Sequence, residues 1–102
     1  MLALRPHCEL CAKALPPAAT DAMICTYECT FCADCVQQVL LNVCPNCGGG
    51  FTPRPIRPKT AWRAGVSVAD HPPASEGPMT RYSHEDIRAF AAKIEAIPPE
   101  DR

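Results

Sequence analysis

Eight closely spaced cysteines are the residues of this chain with the clearest chemistry, and all lie between positions 8 and 47. Their order is Cys8-x2-Cys11, Cys25-x3-Cys29-x2-Cys32-x2-Cys35 and Cys44-x2-Cys47. A closed structural zinc site takes four ligands in tetrahedral geometry, and thiolate sulfur binds the ion at about 2.3 Å. Eight thiols make two complete sets, so the sequence predicts two structural Zn²⁺ ions.

Disulfides and an iron–sulfur cluster are the alternative uses of so many cysteines. The amino terminus, Met1–Pro6, has no apolar segment typical of a signal peptide, so we expect a cytoplasmic protein. Thiols in that compartment are kept reduced, which favours metal over disulfides. No apolar run of about 18 residues is present, so no membrane span is expected.

The two sets of four can be joined in two ways. Sequential wiring would join Cys8, Cys11, Cys25 and Cys29, then Cys32, Cys35, Cys44 and Cys47. Interleaved wiring would join Cys8, Cys11, Cys32 and Cys35 at site 1, then Cys25, Cys29, Cys44 and Cys47 at site 2. The tight spacing Cys29-x2-Cys32 favours the interleaved arrangement, because one short segment then feeds both ions and ties the domain together.

The length of the cysteine-rich segment and the net charge of the chain limit which functions are expected. The cysteine-rich segment, residues 1–58, is too short to bury a large apolar core and so depends on metal for stability. The chain carries a net charge of −1. Nucleic-acid binding is therefore disfavoured, since affinity for phosphate comes from Lys and Arg. The one basic run, Arg54, Arg57 and Lys59, is interpreted as a solvated proline-rich tail.

Short elements are predicted between the cysteines. Residues 20–26 are expected to form a strand with Met23 and Ile24 facing the core. Residues 36–43 are expected to form two helical turns with one apolar face, because Val36, Val39, Leu40 and Val43 recur at helical spacing. From Pro53 to Pro58 the backbone should be extended without ladder hydrogen bonds.

The second half of the chain should contain a linker and one helix. Residues 59–80 are a Pro/Ala-rich linker, ordered only if Trp62 docks. Residues 81–97 hold an amphipathic helix whose capping box begins at Ser83. A lone helix of this length is marginal in water and needs a surface, which is its own domain, a second copy or a partner. Its apolar stripe is the predicted homodimer surface, formed by Ile87, Phe90 and Ile94.

No catalytic residue is assigned. Two sites of four cysteines leave no open coordination position, so the protein is not expected to be an enzyme. His7 lies beside the first ligand and could compete for the metal, but an exposed, non-ligating role is favoured. His71 and His84 are expected to be exposed. Gly48, after the last ligand, suits the left-handed backbone that closes such a turn.

The cysteine pattern resembles a RING finger with cysteine at all eight ligand positions. Three neighbouring residues match RING signatures: Leu10 inside the first cysteine pair, Phe31 directly before Cys32, which is the fifth ligand, and Pro45 inside the last pair. The resemblance implies a small metal-stabilised α+β fold, a cross-brace holding two zinc ions, here followed by the linker and helix. Residues 1–58 also resemble a bacterial family known only as domain of unknown function 1272.

The chain departs from RING ubiquitin ligases where their activity resides. Gly48 stands where those ligases place a cationic residue, and the central helix lacks the common aromatic residue. The expected function is therefore a protein–protein interaction module or adaptor with an unidentified protein partner. Ubiquitin-ligase-like activity and a zinc-ribbon-like association with nucleic acid are the alternatives.

Overall fold

Three short strands form an antiparallel sheet in the computed structural model, which describes residues 1–102. The sheet order is β2-β1-β3, with β1 at Ala22–Ile24, β2 at Thr30–Cys32 and β3 at Thr52–Pro53. The strand expected at residues 20–26 is thus shorter. Its buried residue is Ala22, and Met23 is only half-buried between Phe31 and Pro53 on the neighbouring strands.

A short helix follows β2 directly and is wound more widely than expected. An α-helical turn, α1 at Ala33–Cys35, continues as a π-helix at Val36–Leu40. The predicted helix at residues 36–43 therefore ends early, because Leu41 and Asn42 take left-handed φ angles of 51° and 59°. Asn42 stabilises this reversal, since its Oδ1 accepts the Phe51 N–H at 2.9 Å.

The core is small and combines apolar side chains with cysteines. Phe31 is fully buried and meets Phe51 edge to face, with ring centroids 5.5 Å apart and planes at 78°. The apolar face expected around the short helix is largely buried. Its buried members are Val36, Leu40 and Val43. Cysteines fill much of the remaining core, so its packing depends on the state of their sulfurs.

The linker at residues 59–80 packs against the domain although Trp62 is 81% exposed. Main-chain hydrogen bonds join the second half of the segment to the amino-terminal turn, because Ala74 N–H donates to Leu4 O at 3.0 Å and Thr80 N–H donates to Glu9 O at 2.7 Å.

Two residues of the basic run, Arg54 and Arg57, are not solvated as expected, whereas Lys59 is exposed. Arg54 is 4% exposed and its guanidinium donates to three main-chain carbonyls, those of Arg5, Leu15 and Pro16, at 2.9, 3.1 and 3.0 Å. Arg57 donates to two more, those of Leu2 and His71. The backbone there is also paired, since Arg54 N–H donates to Ala22 O at 2.8 Å. These arginines tie the amino terminus, sheet and linker together.

The carboxyl-terminal helix, α2 at His84–Ile94, lies on the domain. It is shorter than the predicted 81–97, and Ser83 caps it by accepting the Asp86 N–H at 3.1 Å. Ile87 and Ala91 are buried, at 2% and 1% exposure, whereas Phe90 is 36% exposed. Ile87 belongs to the main core, so in this conformation it is not available to a second copy.

The end of the chain packs against Gly48, which follows the last cysteine pair. A methyl group added at Gly48 would lie 3.5 Å from Ile94 Cδ1 and 3.8 Å from Phe90 Cζ. After a 3₁₀ turn at Pro99–Asp101, the Arg102 guanidinium donates to Asn42 O at 2.7 Å and to Gly48 O at 3.2 Å. No helix of the chain is long and apolar enough to cross a membrane.

Candidate metal centre

The first cysteine cluster joins Cys8, Cys11, Cys32 and Cys35, whose sulfurs all lie within 4.8 Å of one another. The Sγ atoms of Cys11 and Cys32 are 3.7 Å apart. Four sulfurs placed about 2.3 Å from a tetrahedral zinc are about 3.8 Å apart. The donor set of this cluster therefore fits a zinc ion in number, type and spacing.

A tight turn places the first pair of this cluster. Ala12 takes a left-handed φ of 64°, and its N–H donates to Cys8 O at 3.0 Å, which folds the chain back. The main-chain N–H groups of Leu10 and Cys11 then point at Cys8 Sγ, at 3.4 and 3.5 Å. Such donors stabilise a thiolate, because hydrogen bonds to the charged form favour it. Cys32 ends β2, so the sheet positions the opposite side of the cluster.

The second cluster brings together Cys25, Cys44 and Cys47, whose sulfurs also lie within 4.8 Å of one another. Cys25 and Cys29 flank the turn between β1 and β2, where Cys25 N–H donates to Cys29 O at 3.2 Å. Glu28 takes a left-handed φ of 67° in this turn. Cys29 is buried beside the cluster, but its sulfur is not within the same distance of all three others.

The last cysteine pair forms its own tight turn. Gly48 N–H donates to Cys44 O and Cys44 N–H donates to Gly49 O, both at 2.8 Å. Gly48 has a φ of 78°, which confirms the left-handed backbone predicted for it. Gly49 N–H lies 3.4 Å from Cys47 Sγ, so this turn also offers a main-chain donor to a sulfur.

The two clusters draw on alternating stretches of the chain. Residues 8–11 meet residues 32–35, and Cys25 meets residues 44–47. One cluster thus gathers all four cysteines expected at site 1, and the other gathers three of the four expected at site 2, all but Cys29. Because each cluster gathers four or three sulfurs rather than a pair, its geometry suits a metal better than a disulfide, which joins two sulfurs only. Both clusters can hold metal, and the ligand roles of the eight cysteines stay predictions.

Burial disfavours the charged form of one thiol in each cluster, Cys35 in the first and Cys44 in the second. Burial raises the pKa of Cys35, and the neighbouring Cys32 and Cys8 raise it further. Burial also raises the pKa of Cys44 against the lowering effect of the Asn46 main-chain N–H, and the nearby Cys25 adds repulsion. Several thiolates cannot share such a space without a compensating cation. A divalent ion bound by these thiols would supply this charge and favour their deprotonated form.

Glu9 and Asn46 support the clusters and have no signal in the cysteine pattern. Glu9 is 3% exposed, and its carboxylate accepts the Thr30 N–H and the Arg5 guanidinium. It thus links the first cysteine turn to the segment between Cys29 and Cys32. Asn46 Nδ2 donates to Cys29 Sγ at 3.3 Å. A buried acid beside a cysteine turn is recognisable only once its partners are known.

The histidines lie outside both clusters. His7 Nδ1 and Nε2 face two main-chain carbonyls, Cys8 O at 3.0 Å and Gly77 O at 3.2 Å. It therefore connects the first cysteine turn to the linker and is half-buried rather than exposed. His71 is also half-buried, contrary to expectation, and His84 is exposed as expected.

The fold and site define a small cysteine-rich protein with a three-stranded sheet and two thiol clusters that can bind metal. The chain belongs to the family described as Protein of unknown function (DUF1272), which matches residues 1–57. This confirms the family resemblance seen in the sequence. An uncharacterized protein of Rhizobium meliloti (strain 1021) is 60% identical over 58 residues, which are 57% of this chain and 69% of that protein. No solved structure matches the chain.

Proposed function

We propose that this protein is a structural zinc scaffold whose two ions form an interleaved, RING-like cross-brace. The observation that carries the proposal is the alternation of the two sulfur clusters along the chain. Each ion would join two distant segments, so the pair of ions replaces the large apolar core that a domain of this size lacks. Site 1 would use Cys8, Cys11, Cys32 and Cys35, and site 2 would use Cys25, Cys29, Cys44 and Cys47.

Zinc is the proposed ion because the donors are all thiols. Sites with four cysteine ligands and tetrahedral spacing are typical of structural zinc. In such sites the free energy of metal binding is largely free energy of folding. Removing the ions with a chelator should therefore unfold residues 1–58, as followed by circular dichroism and by the spread of amide signals in NMR spectra. A fold that survives complete metal removal would contradict the proposal.

The scaffold is proposed to act as a protein–protein interaction module or adaptor. Several large apolar side chains remain exposed on it, among them Trp62 at 81%, Ile56 at 53% and Phe90 at 36%. Aromatic residues in such positions are enriched among the residues that dominate interface energies. A protein partner therefore suits this surface. No residue is proposed to act in catalysis.

A second copy of the chain is one proposed partner, through Phe90 and the exposed part of Ile94 on α2. Sedimentation velocity over a range of concentrations tests this form of the proposal. The wild-type chain should dimerise, and Phe90→Asp should stay monomeric because a charge would enter the apolar contact. Arg88→Asp changes charge on an exposed position of the same helix and serves as the control. A wild-type chain that is monomeric throughout would contradict homodimerisation.

The alternatives receive less support. Ubiquitin-ligase-like activity would need a free surface around the last cysteine turn, where Ile94 and Phe90 lie over Gly48. Nucleic-acid association would need the basic run, but Arg54 and Arg57 are occupied by main-chain carbonyls. Autoconjugation and salt-dependent gel-shift assays should both be negative, and a positive result in either would replace the adaptor proposal.

A further inference from the structure

The two thiol clusters are unequal. In the first, four sulfurs lie within 4.8 Å of one another, whereas in the second only Cys25, Cys44 and Cys47 satisfy that distance. Cys29 lies beside the second cluster on the opposite side of the β1–β2 turn from Cys25. An ion at the second cluster would therefore have three well-placed protein ligands and one side that is less completely enclosed.

The Cys29 sulfur has protein partners of its own. Asn46 Nδ2 donates to it at 3.3 Å, and the sulfur lies 4.0 Å from Tyr27 O. Asn46 belongs to the same turn as Cys44 and Cys47, so the amide that contacts Cys29 moves with the ligands it neighbours. A Cys29 thiol that leaves the metal thus keeps two partners, because its sulfur accepts from Asn46 and its S–H points toward Tyr27 O.

A cavity of about 370 Å³ opens beside the second cluster, and its lining includes Cys29, Asn46, Arg5 and Arg81. A second open depression of about 430 Å³ is lined by Tyr27, Asn46 and Cys47. Cys47 itself is exposed. Arg81 suits the approach to Cys29 to an anionic ligand, because the charge of Arg5 is already paired with Glu9 in the same cavity.

We propose that the second cluster is a metal-exchange site, in which Cys25, Cys44 and Cys47 hold the ion and an external anionic thiol can replace Cys29. The inference rests on the proposed zinc binding. In the exchange, the incoming thiol forms a sulfur–zinc bond as the bond from zinc to Cys29 breaks. The proton of the incoming thiol passes to the Cys29 sulfur through solvent, and no electrons are transferred.

Such an exchange gives the two ions different tasks. The first ion keeps the amino-terminal turn fixed to the sheet and helix. The second ion can be approached by a small thiol or by a partner's cysteine without loss of the first. The protein would then be a scaffold that carries one permanent and one transferable zinc ion.

Paired alanine variants of the full chain test the inequality by native mass spectrometry. Cys29→Ala should keep two zinc ions per chain, because three cysteines and a solvent ligand still hold the second ion. The matched variant Cys44→Ala, in the same cluster, should keep one. Equal loss of the second ion from both variants would overturn the proposal.

A second measurement follows exchange in the wild-type chain. With glutathione as the anionic thiol and a zinc-binding dye as acceptor, zinc should leave in two phases of one ion each, at least about tenfold apart in rate. 2-Mercaptoethanol, a neutral thiol, should accelerate the first phase less than glutathione does. Release of both ions in a single phase would overturn the exchange site while leaving structural zinc binding intact. A wild-type chain that binds no zinc would instead refute the proposed function and the exchange with it.

Discussion

Truncation of Ile87 should detach α2 from the domain. Ile87 is 2% exposed and lies in the main core, and only one other residue of the helix, Ala91, is comparably buried. Replacing a buried isoleucine by alanine costs about 2–5 kcal/mol, through lost burial and the cavity that remains. An isolated helix of 11 residues is marginal in water. The free energy lost with the Ile87 side chain should therefore exceed the free energy that docking of α2 contributes.

Hydrogen exchange measured by mass spectrometry resolves this effect. In Ile87→Ala, the amides of residues 84–94 should exchange at nearly unprotected rates, while the segments that contain the cysteines keep their protection. Ile97→Ala is the matched control, because the same side chain is removed where it is 39% exposed. Its cost should be below about 1 kcal/mol. Wild-type protection of α2 in Ile87→Ala would show that other contacts hold the helix and refute the reasoning.

Three further results are expected. Arg54→Lys should lower the free energy of unfolding in urea by about 2–4 kcal/mol, since an ammonium group cannot reach three carbonyls that the guanidinium fork satisfies; a change below about 0.5 kcal/mol would contradict this. Gly48→Ala should lower the free energy of unfolding in urea by about 1–2 kcal/mol, because the φ of Gly48 is 78°. Gly49→Ala should lower it less, because Gly49 does not have a left-handed backbone. Acidification should release zinc from the loaded chain because protons compete for the thiolates, and metal content that stays constant from neutral pH to pH 3 would contradict thiolate ligation.

The parts of the fold that could be predicted depend on local chemistry. Cysteine pairs separated by two residues bring their sulfurs close whatever surrounds them, so Cys8 with Cys11 and Cys32 with Cys35 could be paired from spacing, whereas two ways of joining the pairs into clusters stayed open. Gly48 and Ser83 were similarly readable, because a left-handed turn and a helix cap each depend on neighbouring residues only.

The remaining features depend on contacts between distant parts of the chain. Arg54 is buried where its guanidinium donates to carbonyls about 40 to 50 residues away, and no local pattern records this. The helix ends at Leu40, and Asn42 Oδ1 then accepts the N–H of Phe51, the residue before β3. The spacing of apolar residues cannot predict this contact. The linker packs through main-chain hydrogen bonds, which the side chains around Trp62 do not predict.

Correlation of bound ¹¹³Cd with the cysteine β-protons by NMR tests the two interleaved centres most directly. After both sites are filled with ¹¹³Cd, the proposal predicts two cadmium signals. One should couple to Cys8, Cys11, Cys32 and Cys35, and the other to Cys25, Cys44 and Cys47, with a weaker or exchange-broadened coupling to Cys29. A single cadmium signal, or one that couples to both Cys11 and Cys25, would contradict the account.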